Sequence, residues 1–195
     1  MNAVRAFIAI ELPKVTRDAL GEVQARLAHH ASGSSVRWVK PDNIHLTLKF
    51  LGQVPTAQID VIGLALRRAV PEHHVFPFEV MNAGCFPDYV RPRVIWVGVD
   101  EPSGALLALQ RTVEAVTVPL GYPSESRSYQ PHLTLGRMAR DVKPADLHRL
   151  GELVKHARVG LLGHVHADEV VLFQSDLSPT GSVYTALARI ALLRV

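Results

Sequence analysis

The four residues His-Leu-Thr-Leu occur twice in this chain, at 45–48 and at 132–135. Each copy sits in a stretch whose residues suit a β-strand, where successive side chains point to opposite faces. In the first, Ile44, Leu46, Leu48 and Phe50 share one face, while His45, Thr47 and Lys49 share the other. In the second, Leu133 and Leu135 oppose His132 and Thr134. An imidazole and a hydroxyl therefore stand side by side twice, roughly 6.5–7 Å apart along the strand. Two such strands meeting across a pseudo-twofold axis would gather two histidines and two threonines around one cleft. That set suits phosphorus chemistry. A neutral imidazole takes a proton from the nucleophile while a protonated one gives a proton to the leaving oxygen, and histidine titrates near neutrality. Threonine hydroxyls hold the phosphate oxygens. One His-x-Thr on a strand is usually a pair of solvated polar side chains. Two with the same parity, at corresponding places in a repeated topology, carry the argument.

A two-histidine metal site lacks a third ligand. Asp42 precedes a turn, and His164 and His166 read as an exposed strand entry. The single cysteine, Cys85, forms no intramolecular disulfide and rules out a cysteine zinc cluster. Neither a metal nor a cofactor is expected.

The elements that must position these residues follow from periodicity. Strands are expected at 4–10, 36–39, 44–51 (ended by Gly52), 75–84, 93–99, around 132–135, at 166–174 and at 182–192. Helices are expected from Pro13 to His30, Pro55 to Val70, 102–118 and Pro144 to Ala157. Loops fall at 32–35, 40–43, 85–92 and 121–126, with a turn at 178–181. The order suggests two α+β units, each a small sheet with helices on one side.

The chain has 195 residues, 48% hydrophobic and 20% charged, as one globular domain or two small lobes sharing a core requires. No apolar run reaches the roughly 18 residues that cross a bilayer. The opening apolar run is too short for a signal peptide and meets Glu11, so a cytoplasmic protein is expected. A net charge of +3 and a pI of 9.2 lean toward anionic partners without making a nucleic-acid footprint. Arginine outnumbers lysine 16 to 5, which fits a GC-rich genome or phosphate recognition by planar guanidinium groups.

With these residues in view, the chain resembles the two-histidine phosphoesterases, marked by a duplicated H-x-T/S-x motif. It is most similar to their LigT-like branch, the bacterial and archaeal RNA 2′,3′-cyclic phosphodiesterases first described as 2′–5′ RNA ligases. The strings "RAFIAIELP", "VRWVKPDNIHLTLKFLGQV", "GCFPDYVRPRVIWVGV", "SYQPHLTLGR" and "VVLFQSDLSPTGSVYTALARIAL" carry the likeness along nearly the whole length. The resemblance implies one domain over 1–195 with a bilobal α+β fold: two pseudo-symmetric antiparallel sheets with outer helices around a central cleft, one motif per half. It implies His45 as proton donor and His132 as proton acceptor, with Thr47, Thr134 and Arg137 on the phosphate. The substrates implied are RNA ends or nucleotides bearing a 2′,3′-cyclic phosphate, with no membrane and no protein partner.

Arg137 lies five residues beyond His132, so a regular strand would turn it away from the site, and a bulge at Gly136 is needed to re-aim it. Arg127 and Tyr129, just before the second motif, and Phe7 and Tyr184, on the first and last strands, are further candidates for lining the cleft. The aromatic ones among them are candidates for stacking on a base. Trp38 and Trp96 read as core, and Cys85 as buried and inert. Two other functions stay open: a nucleotide-binding module without catalysis, and a ligase joining a 2′,3′-cyclic phosphate to a 5′-hydroxyl.

Overall fold

A computed structural model of the protein describes residues 2–30, 35–178 and 181–194. Its strands are β1 (Ala3–Glu11), β2 (Val36–Trp38), β3 (His45–Pro55), β4 (Phe76–Phe86), β5 (Val94–Asp100), β6 (His132–Met138), β7 (Gly163–Ala167), β8 (Glu169–Ser178) and β9 (Gly181–Ala191). Its helices are α1 (Lys14–His30), α2 (Ile59–Ala69), α3 (Ala105–Thr117) and α4 (Pro144–His156). The loop expected at 32–35 and the turn at 178–181 fall partly outside the described residues.

The fold is α+β with antiparallel pairing throughout the strand ladder. Strand order is β7-β4-β5-β6-β3-β1-β8-β9, with β2 also on β6. The two expected sheets are thus two four-strand groups joined at one seam, where β3 meets β6 through Leu46↔Leu133. The seam is short because β2 occupies the same edge of β6 from Gly136 onward.

The halves are not consecutive in sequence, which corrects the expectation of one α+β unit after another. The first motif's half takes β3, β1, β8 and β9, from both ends of the chain. The expected strand 166–174 accordingly divides at Asp168: β7 pairs with β4, while β8 pairs with β1 in the other half. A flat sheet would put β7 and β8 roughly 29 Å apart at about 4.8 Å per strand. One residue cannot span that, so the sheet curls and brings its two ends together.

All four helices cover one face. Leu20 and Val23 of α1, Ile62 and Leu66 of α2, Leu106 and Leu109 of α3, and Leu150 and Val154 of α4 join Ile8, Leu46, Leu133 and Ile95 in one core. α1 is locked on by Gln24, whose buried Nε2 donates to the carbonyls of Val39 (2.7 Å) and Leu135 (2.8 Å). The helix-free face carries a small apolar cluster of Phe7, Ala9, Val171 and Phe173, with Tyr184 against it. β1 is therefore covered on both sides, which accounts for its unbroken apolar run. Among the described residues no helix is long and apolar enough to cross a membrane.

Candidate active site

Leu46 and Leu133 face the core and are fully buried. Their strand neighbours must face the other way. About the Leu46↔Leu133 pair an antiparallel register sets His45 beside Thr134 and Thr47 beside His132, all on the helix-free face. The two motifs are thereby brought together at the seam.

Both imidazoles are held alike. His45 Nδ1 lies 2.8 Å from the carbonyl of Asn43, and His132 Nδ1 lies 2.8 Å from the carbonyl of Gln130. A carbonyl only accepts, so each Nδ1 carries a proton and each neutral ring keeps its lone pair on Nε2. In both cases the anchor is the main chain two residues before the histidine. This symmetric tether was not read from the sequence, although the repeat of the motif is its signal.

The rings sit among aromatics. His45 stacks on Phe7, with centroids 4.6 Å apart, and meets Tyr184 edge-on at 5.3 Å. His132 meets Phe86 edge-on at 4.9 Å. Burial among such groups disfavours the imidazolium and pushes His45 down to about 4, against the raising effects of the Asn43 carbonyl and Glu11. His132 is lowered too, chiefly by burial, while its hydrogen bond to Gln130 raises it. The positive charge of Arg137 lowers both histidines, so that guanidinium lies within electrostatic reach of each.

The bulge needed to turn Arg137 toward the site is present. On β6, Thr134 pairs with Trp96 and Gly136 with Ile95, which leaves Leu135 as an extra residue. Leu135 and Gly136 are both buried, and Arg137 then returns to the exposed, helix-free side. Gly136 is required there, since a Cβ would lie 2.6 Å from Val36 Cγ1.

β3 has the same irregularity, which was not foreseen and corrects the parity expected after Leu48. Ala9 pairs with Thr47 and Ile8 with Lys49, so Leu48 is the extra residue. Lys49 turns inward, buried, to ion-pair with Glu114 and donate to the Tyr122 carbonyl at 3.0 Å. Phe50 turns outward instead of facing the core, and is 49% exposed. β3 also runs past Gly52, which takes φ +72 within the strand rather than ending it. Phe50 thus occupies in the first half the place that Arg137 has in the second.

The remaining candidates separate. Tyr184 lines a cavity with His45. Phe7 is only 2% exposed and backs the His45 ring, so it offers no free face to a base. Tyr129 is a tie rather than a wall of the cleft: its hydroxyl donates to the Thr47 carbonyl at 3.0 Å, and burial pushes its pKa up. Arg127 is exposed on the segment before β6, and among the described residues no hydrogen bond or ion pair joins it to the histidines. Trp38 packs against the core as expected. Trp96 does not, because it pairs with Thr134 and so faces the site side, lying over Gly84 and 5.1 Å from Phe86. Its buried Nε1 has no hydrogen-bond partner among the described residues. Cys85 is buried, with its thiol pushed up to about 12. Among the described residues no group of three or more His, Cys, Asp or Glu is placed to hold a metal ion.

A curled antiparallel sheet with outer helices and a tethered His-x-Thr motif on each side of its seam defines a phosphoesterase of the two-histidine class. The family profile described as "LigT like Phosphoesterase" matches residues 10–96 and 97–184, and the chain belongs to that family. It is 34% identical over 182 residues to an RNA 2′,3′-cyclic phosphodiesterase of Methanothermobacter thermautotrophicus, covering 93% of this chain and 95% of the relative. It is 31% identical to one of Aquifex aeolicus, covering 96% of each. Its fold superposes on that of Escherichia coli LigT complexed with 3′-AMP with a TM-score of 0.77 at 26% identity, over 98% of this chain and 99% of that one.

Proposed function

We propose that this chain hydrolyses a terminal 2′,3′-cyclic phosphate of RNA to a 2′-phosphate, without a metal, in one two-lobed unit spanning the whole chain in the cytoplasm. The observation that carries the reading is the pair of histidines, each tethered through Nδ1 with no hydrogen bond to Nε2 among the described residues, on one face at the seam. The relatives' names point the same way.

Neutral His132 takes a proton from water at Nε2 as the water oxygen bonds to phosphorus. The P–O3′ bond breaks, and the Nε2–H of protonated His45 passes its proton to O3′. Thr47 and Thr134 hydroxyls donate to the phosphate oxygens, and Arg137 offsets their charge. His45 is neutral in the free protein at pH 7, so its donor role depends on the substrate's own negative charge, which favours the imidazolium.

RNA ending in a 2′,3′-cyclic phosphate, incubated in excess EDTA, should yield a 2′-phosphate end at full rate. Loss of activity that zinc or magnesium restores would refute the metal-free route. Adding an RNA with a 5′-hydroxyl separates hydrolysis from ligation, and absence of both products would leave a nucleotide-binding module.

A further inference from the structure

Beside His45 the structure has a small cavity open to solvent. Glu11, Arg17, Asp42, Asn43, Ile44, His45, Phe173 and Tyr184 line it, and none belongs to β6. The cavity is therefore on the His45 side of the reacting phosphate. In the hydrolytic reading that is the side of the leaving O3′, and so of the terminal nucleoside.

The polar groups narrow the ligand. Two carboxylates and one guanidinium line it, and Glu11 is ion-paired with Arg189, so the lining has no surplus of positive charge for a second phosphate. Glu11 Oε2 accepts from Arg189, and Oε1 has no partner among the described residues. Asn43 donates Nδ2 to the Ser182 carbonyl at 2.7 Å, which leaves Oδ1 as an acceptor. Arg17 Nε is buried without a hydrogen-bond partner among the described residues, its nearest carboxylate oxygen being Asp42 Oδ1 at 4.0 Å. The cavity thus offers acceptors beside one cationic donor, with Phe173 and Tyr184 in its wall. Guanine is the base that matches: it presents N1–H and N2–H₂ together, with O6 and N7 as adjacent acceptors. Adenine and cytosine present one amino group next to a bare ring nitrogen, and uracil a single N–H between two carbonyls.

We propose that this pocket receives the base of the terminal nucleoside and selects guanine, with Arg17 on its O6 or N7 edge and the Glu11 and Asn43 oxygens on its N–H edge. The inference rests on the hydrolytic reading, which places that nucleoside beside His45.

Two measurements on the intact chain test it. The first is kcat/KM for the four nucleoside 2′,3′-cyclic phosphates, where guanosine should exceed each of the others about tenfold or more, as for one good bidentate pair. Arg17→Met should bring the guanosine-to-uridine ratio within about threefold of unity. The second is calorimetric binding of guanosine 2′-phosphate and uridine 2′-phosphate, which needs no turnover. Brisk turnover with equal rates for all four bases overturns the pocket assignment and leaves the hydrolytic reading standing. Tight, guanine-selective binding with no turnover of any substrate does the reverse. An unchanged base ratio in Arg17→Met, or an equal loss for all four bases, assigns Arg17 elsewhere and also overturns the proposal.

Discussion

The ring of Phe7 lies on the ring of His45, with centroids 4.6 Å apart and planes 23° from parallel. The imidazole of the first motif is thus shielded on one face by a side chain that is itself buried. Burial puts His45 at about 4 and moves His132 downward as well. Since kcat/KM reports the free protein, its bell-shaped pH profile should have its optimum on the acid side of 6.5. In the complex the phosphate anion raises both imidazoles, so the kcat profile should lie at higher pH. Initial rates across pH 4–9 check this; a kcat/KM still rising at pH 8 would exclude it.

The same ring affects folding. A histidine whose folded pKa lies below its unfolded value takes up its proton first in the unfolded state. The contribution of His45 is therefore complete above pH 6.5 and is lost as pH falls from 6.5 toward about 4. Over that window the unfolding free energy from urea titrations should drop by no more than about 3 kcal/mol, less to the extent that the open edge of the ring is wetted. His45→Phe should flatten this part of the curve.

Replacing either histidine by alanine should lower kcat by about 10²–10⁴, and the double mutant should lose little more than the worse single one. A substrate with a better leaving group at the 3′ position should restore His45→Ala and not His132→Ala. The opposite pattern would exchange donor and acceptor while leaving the reaction unchanged.

Tyr129 joins the segment before β6 to the main chain of the first motif through the Thr47 carbonyl. Tyr129→Phe keeps the ring but removes that hydrogen bond, at a cost of about 0.5–1.5 kcal/mol. Thermal melts should show that loss, and kcat should fall severalfold with the limbs of the pH profile in place. A shift of those limbs would mean that the hydroxyl acts on the histidines directly.

Phe50 is the large exposed aromatic on the site face, and stacking a base on such a ring is worth about 1–3 kcal/mol. Phe50→Ala should raise KM about tenfold for an oligonucleotide ending in a cyclic phosphate and leave kcat nearly unchanged. With a mononucleotide the effect should be small; an equal loss there would put the terminal base on Phe50 and argue against the pocket beside His45.

Alternation alone put Leu46 and Leu133 in the core and His45, Thr47, His132 and Thr134 on the other face, because a strand's two-residue period is a local property of the chain. The same locality made the four helices and the α+β class legible. Residues beyond each motif were another matter. Phe50, Lys49 and Arg137 owe their directions to bulges at Leu48 and Leu135, and a bulge is defined only against the partner strand. Only Gly136, which has no room for a side chain, left a trace of one in the sequence. Likewise Phe7, Tyr129 and Trp96 are aromatic letters whose roles as backing, tie and site wall depend on which neighbour faces them across the sheet. The interleaving of the halves came from long-range pairing, with β8 returning to β1 past everything between. Sequence periodicity does not encode that choice of partner; the curl of the sheet and the closing of its core decide it.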